Sequence, residues 1–151
     1  MDAVALALIT RLGLAPHPEG GHFRRCYASA LHTGGRPAVT AIHYLLVRGE
    51  RSHWHRVDAD ECWHWQQGGT LELRMLDPHG RSLHVCRLGG AEAGETPMQV
   101  VPAGWWQSAR PLENFSLVAC TVSPGFVWEG FELLAADDPL ADWLRGRQQW
   151  P

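Results

Sequence analysis

A chain of 151 residues and 16.8 kDa holds one domain with a real core and is too short for two ordinary ones. All 13 basic residues are arginine, so no lysine serves a P-loop, a Schiff base or pyridoxal phosphate. A net charge of −3 with scattered arginines argues against nucleic-acid binding, and no apolar run nears the ~18 residues of a membrane span.

Asp2 is placed to cap a helix over residues 3–12, with Leu6, Ile9 and Leu12 at helical spacing and Gly13 as the stop. From there the pattern is strand and turn. Residues 38–47 are β-rich and end at Arg48-Gly49, and 61–66 alternate until Gly68-Gly69. Residues 70–77 alternate and turn at Pro78-His79-Gly80, and 82–88 follow. Residues 98–101, 105–109, 115–122 and 128–135 complete the predicted strands. A last helix starts at Asp138-Pro139, with Leu140, Trp143 and Leu144 on one face. Short strands punctuated by Gly and Pro argue for an all-β sandwich or barrel. No repeat or linker interrupts residues 1–151, which read as one domain. The N-terminal stretch lacks the basic start of a signal peptide, so a cytoplasmic protein is expected. Cys26, Cys62, Cys86 and Cys120 form no CxxC and read as reduced, mostly packed thiols.

The densest chemistry lies between Gly49 and Gly68. On a strand, His53 and His55 share a face, and Glu61 can return on a neighbouring strand to meet them. Two imidazoles and a carboxylate make a facial set suited to a divalent metal with open positions.

This stretch resembles the first motif of the cupin superfamily: a glycine, His-x-His, then Glu61 and Gly68. Gly49 lies closer to His53 than usual, and Glu61 one residue farther from His55; Asp60 would restore the spacing from His55 at the expense of the spacing to Gly68. Pro102-Ala103-Gly104 resembles the turn of the second motif, with Gln107 where the family places a last His ligand. The flanks are similar to the small cupin-5 proteins, a domain of unknown function. They comprise Pro16-His17-Pro18-Glu19-Gly20-Gly21-x-Phe23, Tyr44-Leu-Leu, Ser52-x-Trp54-His55-Arg56-Val57, Asp60-Glu61-x-Trp63, Val101-Pro102-Ala-Gly104-x-Trp106, Cys120-Thr-Val-x-Pro124-Gly125-Phe126 and Phe131-Glu132. The resemblance covers about residues 12–135. It implies a cupin double-stranded β-helix, a jelly-roll barrel that here carries a short helix at each end. It also implies a pocket inside the barrel and a homodimer.

The expected metal ligands are His53, His55, Glu61 and Gln107, for Fe, Mn, Ni or Zn; there is no nucleotide-cofactor motif. An amide oxygen at Gln107 is a weaker ligand than imidazole. Tyr44 or Tyr27 with a histidine would resemble the acid and base of a sugar epimerase, and His55, Glu61 and Tyr44 are the expected catalytic groups. Trp63 and Trp65 share parity with Glu61, and Trp105 with Gln107, so they are candidates for a flat wall. Trp54 has the opposite parity to the histidines, and His64 to Glu61. Arg24 and Arg56 are candidates for an anionic group, and Glu19 either reaches the pocket or caps its turn. The leading expectation is a binder of a small polar, sugar-like or sugar-nucleotide-like molecule, with isomerase or epimerase chemistry if catalytic. The alternatives are an Fe(II)-dependent dioxygenase or other metallocupin, and a ligand-binding module without turnover. The expected partners are a small-molecule ligand and a second copy of the chain, with no nucleic acid and no membrane.

Overall fold

The computed structural model describes residues 1–79 and 81–151; Gly80, the last residue of the expected turn at 78–80, lies outside the described residues. Helix α1 (Ala3–Leu12) begins where the Asp2 carboxylate accepts from the Val4 and Ala5 amides, and it ends at a left-handed Gly13. Helix α2 (Pro139–Arg145) begins at Asp138, whose side chain accepts from Leu140 N. Both helices fall on the expected residues. No helix is long and apolar enough to cross a membrane among the described residues.

Between them run β1 (Ala15–Pro16), β2 (His22–Ala28), β3 (His32–Thr33), β4 (Arg36–Pro37), β5 (Thr40–Val47), β6 (Ser52–Val57) and β7 (Asp60–Gly68). They are followed by β8 (Leu71–Leu76), β9 (Leu83–Leu88), β10 (Met98–Val101), β11 (Trp106–Pro111), β12 (Phe115–Ser123) and β13 (Phe131–Leu133). Two sheets form the body, with strand orders β1-β2-β5-β12-β7-β10 and β13-β6-β11-β8-β9. From β5 onward the chain passes from sheet to sheet with nearly every strand and stays in one sheet only for the β8–β9 hairpin. This antiparallel winding is the expected all-β jelly roll.

Strand β2 was not expected. Its Arg24-Arg25-Cys26 run hides the alternation, and the register against β5 shifts between Arg25 and Tyr27, leaving Cys26 as an extra residue. The expected strand over 128–135 is instead a 3-10 turn at Trp128–Gly130 followed by only three residues of β13.

One apolar cluster fills the space between the sheets: Leu46 and Val118 from one side, Leu71, Leu73, Met75 and Ala109 from the other, with Trp63, Leu88 and Val101. Helix α1 covers the outer face of the first sheet at Leu45, Val47, Phe115 and Leu117. Helix α2 covers the second at Trp54, Leu76 and Trp106, so Trp54 faces away from the barrel interior, as its parity requires. The apolar filling occupies one end of the barrel. The other end stays open.

Candidate functional site

At the open end a cavity of about 400 Å³ is floored by His17, Glu19, His55 and Glu61. His55 comes from β6, Glu61 from β7, and His17 and Glu19 from the loop that joins β1 to β2. That loop is fixed by glycine. Gly20 has φ 108°, and a Cβ there would stand 2.1 Å from the Arg51 carbonyl oxygen, so no larger residue lets the loop lie this close to β6. His53 N donates to Glu19 O at 2.7 Å, and the Tyr44 hydroxyl donates to Gly20 O at 2.5 Å. Both hold the loop over the barrel mouth.

The floor is a hydrogen-bond network whose proton positions can be read from its partners. His55 Nδ1 lies 2.7 Å from the His53 carbonyl, which only accepts, so Nδ1 carries a proton. His55 Nε2 lies 3.1 Å from Glu19 Oε2, and that contact needs one further proton, shared between imidazole and carboxyl. Ser52 Oγ donates to the other Glu19 oxygen at 3.0 Å. On the facing sheet, Trp63 Nε1 can only donate, so Gln107 turns its oxygen to it at 2.8 Å. The Gln107 amide nitrogen then donates to Glu61 Oε1, also at 2.8 Å.

Burial dominates the electrostatics. It pushes the Glu61 carboxyl up to about 7, a rise that the neighbouring Glu19 adds to and that His55 and the Gln107 hydrogen bond oppose. Burial likewise raises Glu19 above the usual carboxylate range and lowers His17 and His55 below the usual imidazole range. The floor therefore holds two carboxyls that keep protons unusually well beside two imidazoles that take them up reluctantly.

Of the expected residues, the fold brings together Glu19, His55 and Glu61. His53 does not join them. Register along β6–β11 pairs His55 with Gln107 but Ser52 with Ala109, so His53 and Trp54 together oppose Ser108. The bulge breaks the alternation that would have put His53 beside His55. Ser52, fully buried, takes the inner position, and the His53 side chain is exposed. Gln107 reaches the floor, but its oxygen is held by Trp63, and what faces Glu61 is an N–H. The four expected metal ligands thus form no donor set. Among the described residues no group of three or more His, Cys, Asp or Glu is arranged to hold a metal ion.

Tyr44 lies beneath the loop rather than in the cavity, edge-on to Trp63 with centroids 5.9 Å apart, and burial raises its hydroxyl well above the ordinary phenol range. It pins Gly20. The expected tryptophan wall is also elsewhere: Trp63 is in the core, Trp65 donates to Gly69 O, and Trp105 lies 5.6 Å from the His84 ring. The aromatic wall is built from Phe23, Phe126, Trp128 and Phe131 instead, the last three with centroids 5.0–5.9 Å apart. Arg24 donates to Leu12 O beside α1, and Arg56 stacks 4.6 Å over Trp106 while pairing with Glu132. Neither lines the cavity; Arg25 does. His17 and the aromatic wall were within reach of the sequence, since His17, Phe23, Phe126 and Phe131 all stand in the flanking motifs.

The model of the Cupin superfamily (DUF985) family matches residues 6–134. A protein from Shewanella oneidensis, known from an X-ray structure, is 35% identical with a TM-score of 0.84, covering 99% of this chain and 93% of that one. A hypothetical protein from Leishmania major is 30% identical with a TM-score of 0.81, covering 96% and 93%. Oxalate decarboxylase from Bacillus subtilis, described with Mn(II) centres, is 15% identical with a TM-score of 0.63. The match covers 89% of this chain and 35% of the decarboxylase, and it shows a shared fold alone. No curated protein matches the sequence. On the family match and on the two relatives that share its whole length, the chain belongs to the Cupin superfamily (DUF985) family.

Proposed function

We propose that this cupin moves a proton on a small carbonyl-bearing molecule held in the open end of the barrel, as an isomerase or epimerase does. The observation that carries the reading is Glu61: a buried carboxyl at the cavity floor whose pKa of about 7 matches the demands of a general base near neutrality. Opposite in chemistry stands the Glu19–His55 pair, which shares one proton across 3.1 Å.

In the proposed step the Glu61 carboxylate removes the proton of a C–H bond next to the carbonyl. The electron pair of that bond forms a double bond to the carbonyl carbon, and the carbonyl π pair moves to the oxygen, which takes the proton shared by Glu19 and His55. Return of the C–H proton from Glu61 to the former carbonyl carbon, while the adjacent hydroxyl gives its own proton back to the Glu19–His55 pair, isomerises a hydroxy-carbonyl substrate. Return to the opposite face of the original carbon, with the enol oxygen giving its proton back to the same pair, epimerises it. Ser52 and the His53 carbonyl hold the pair in place, while the Gln107 amide orients Glu61. Open-chain sugars and keto-sugars have the required C–H, and the Phe23, Phe126, Trp128 and Phe131 wall offers flat apolar surface to a ring or chain.

The test is proton NMR in D2O with a panel of ketoses, aldoses and nucleotide-linked keto-sugars. Loss of a C–H signal beside the carbonyl with wild type, abolished by Glu61→Gln, supports the reading. Binding of a panel member without any exchange would reduce the protein to a binding module.

A further inference from the structure

We propose that Arg25 is the anion-binding residue of the cavity, so that its ligand is a small organic carboxylate or phosphate ester. Its charged group would sit at the rim and its apolar or flat body would run along the aromatic wall toward Glu61. The inference rests on the cavity being a ligand site, as above, and adds the class of ligand.

Five arginines outside the cavity, Arg36, Arg56, Arg87, Arg110 and Arg145, are each paired with a carboxylate. Arg25 is the cavity's arginine among the described residues. It has no carboxylate partner there and spends one nitrogen on the Phe126 carbonyl at 3.0 Å, which fixes the guanidinium at the rim. The rest of the fork is free to hold an oxyanion by two parallel hydrogen bonds. Its position is set by the backbone: Phe23 and Arg25 share the inner face of β2, opposite Tyr44 and Ile42 of β5, and the bulge at Cys26 ends that alternation. Along the wall below lie Ile42, Val122, Val127 and Phe131, which have no hydrogen-bonding side chains and suit a carbon skeleton.

Two features bear on the charge of the ligand. The floor carboxyls retain protons because of burial, so they present less negative charge to an anion than their number suggests. Glu129 also lines the rim without pairing with Arg25. A single carboxylate there opposes an anion by modest, solvent-screened repulsion, so its removal should tighten binding.

Isothermal titration calorimetry with matched probes tests this: benzoate against benzamide for a carboxylate, and glucose 6-phosphate against glucose for a phosphate ester. At least one anion is expected to bind wild type about tenfold more tightly than its neutral partner, through a charge-assisted forked contact. Arg25→Met should erase that difference with the melting temperature unchanged, Arg25→Lys should keep part of it, and Glu129→Gln should enlarge it. Equal binding of anion and neutral partner, unimpaired anion binding by Arg25→Met, or no anion bound at millimolar concentration would each overturn the proposal. Anion binding through Arg25 without C–H exchange would retire the proton-transfer reading alone. Exchange of neutral carbonyl compounds without anion preference would retire Arg25 alone.

Discussion

The two ends of the barrel are made by the same strands and have opposite character. On β7, Trp63 belongs to the apolar filling, and Glu61, two residues earlier on the same face, belongs to the cavity floor. On β12, Val118 packs into the closed end while Val122 lines the open one. The polar chain Trp63–Gln107–Glu61 is the boundary between them. Leu71, Leu73 and Leu88 are buried with no polar group to satisfy, and burial of this kind supplies most of a small domain's stability. The open end spends some of it on two buried carboxyls and two desolvated imidazoles. A closed end that stabilises and an open end that costs are the expected division of labour in a protein that holds reactive groups out of water.

The sharpest way to break this comparison is Glu61→Gln, the largest expected effect. If Glu61 is the base, the exchange rate falls by about 10²–10⁴. Stability should move the other way. The folded carboxyl holds its proton up to about 7, whereas the unfolded one releases it near the ordinary value. The folded state therefore loses stability as pH rises between those two values and is level above them. Wild type should lose on the order of 3 kcal/mol across that window, a slope absent from the variant. The neutral His55 contributes the opposite trend, with stability lost as pH falls below the ordinary imidazole range. Urea unfolding of both proteins at pH 5 and pH 8 measures the difference, and parallel pH profiles would show that Glu61 is not the costly group.

Leu73→Ala probes the closed end. Leu73 is fully buried between the sheets, so its truncation should cost about 2–5 kcal/mol by lost burial and cavity formation. Exchange per folded molecule should be unchanged. A matching loss of exchange at temperatures where the variant is folded would mean that the two ends are not separable.

Gly20→Ala acts at the seam. A left-handed alanine costs about 1–3 kcal/mol in strain, and its Cβ would meet the Arg51 carbonyl at 2.1 Å. The loop must lift and take Glu19 off His55. Melting temperature and exchange rate should both fall, and pKa measurement of His55 by NMR should report the loss of its partner. An unmoved His55 would sharpen the picture by showing that Tyr44 and His53 N hold the loop without the glycine.

Much of this was readable in the sequence. The caps at Asp2, Asp138 and Gly13 sit in local patterns, and alternation named most of the strands. His55, Glu61 and Glu19 were named from strand spacing and motif resemblance. What escaped were departures from alternation. The bulge opposite Ser108 exchanges His53 for Ser52 on the inner face of β6. The bulge at Cys26 hid β2, so that the plain alternation from Phe23 to Arg25, which turns Arg25 rather than Arg24 inward, went unread. Parity also ranks residues on a strand without saying whether an inner position falls at the closed or the open end. That is why Trp63 and Trp65 were expected to line a cavity they only help to seal.

His53→Ala is the smallest expected effect and the most direct check on that bulge. The side chain is exposed and outside the cavity, and the contribution of residue 53 to the site runs through its backbone: N–H to Glu19 O and carbonyl to His55 Nδ1. Alanine preserves both bonds, so stability should change by no more than about 0.5 kcal/mol and the exchange rate should stay within error. A metal set of His53, His55 and Glu61 requires the reverse, a loss as large as that of Glu61→Gln and a fall in bound metal measured by elemental analysis. Proline at the same position, which removes the N–H, separates the two roles. If His53→Ala is silent and His53→Pro frees Glu19, the residue serves the site as backbone, and the imidazole that the spacing pointed to is incidental.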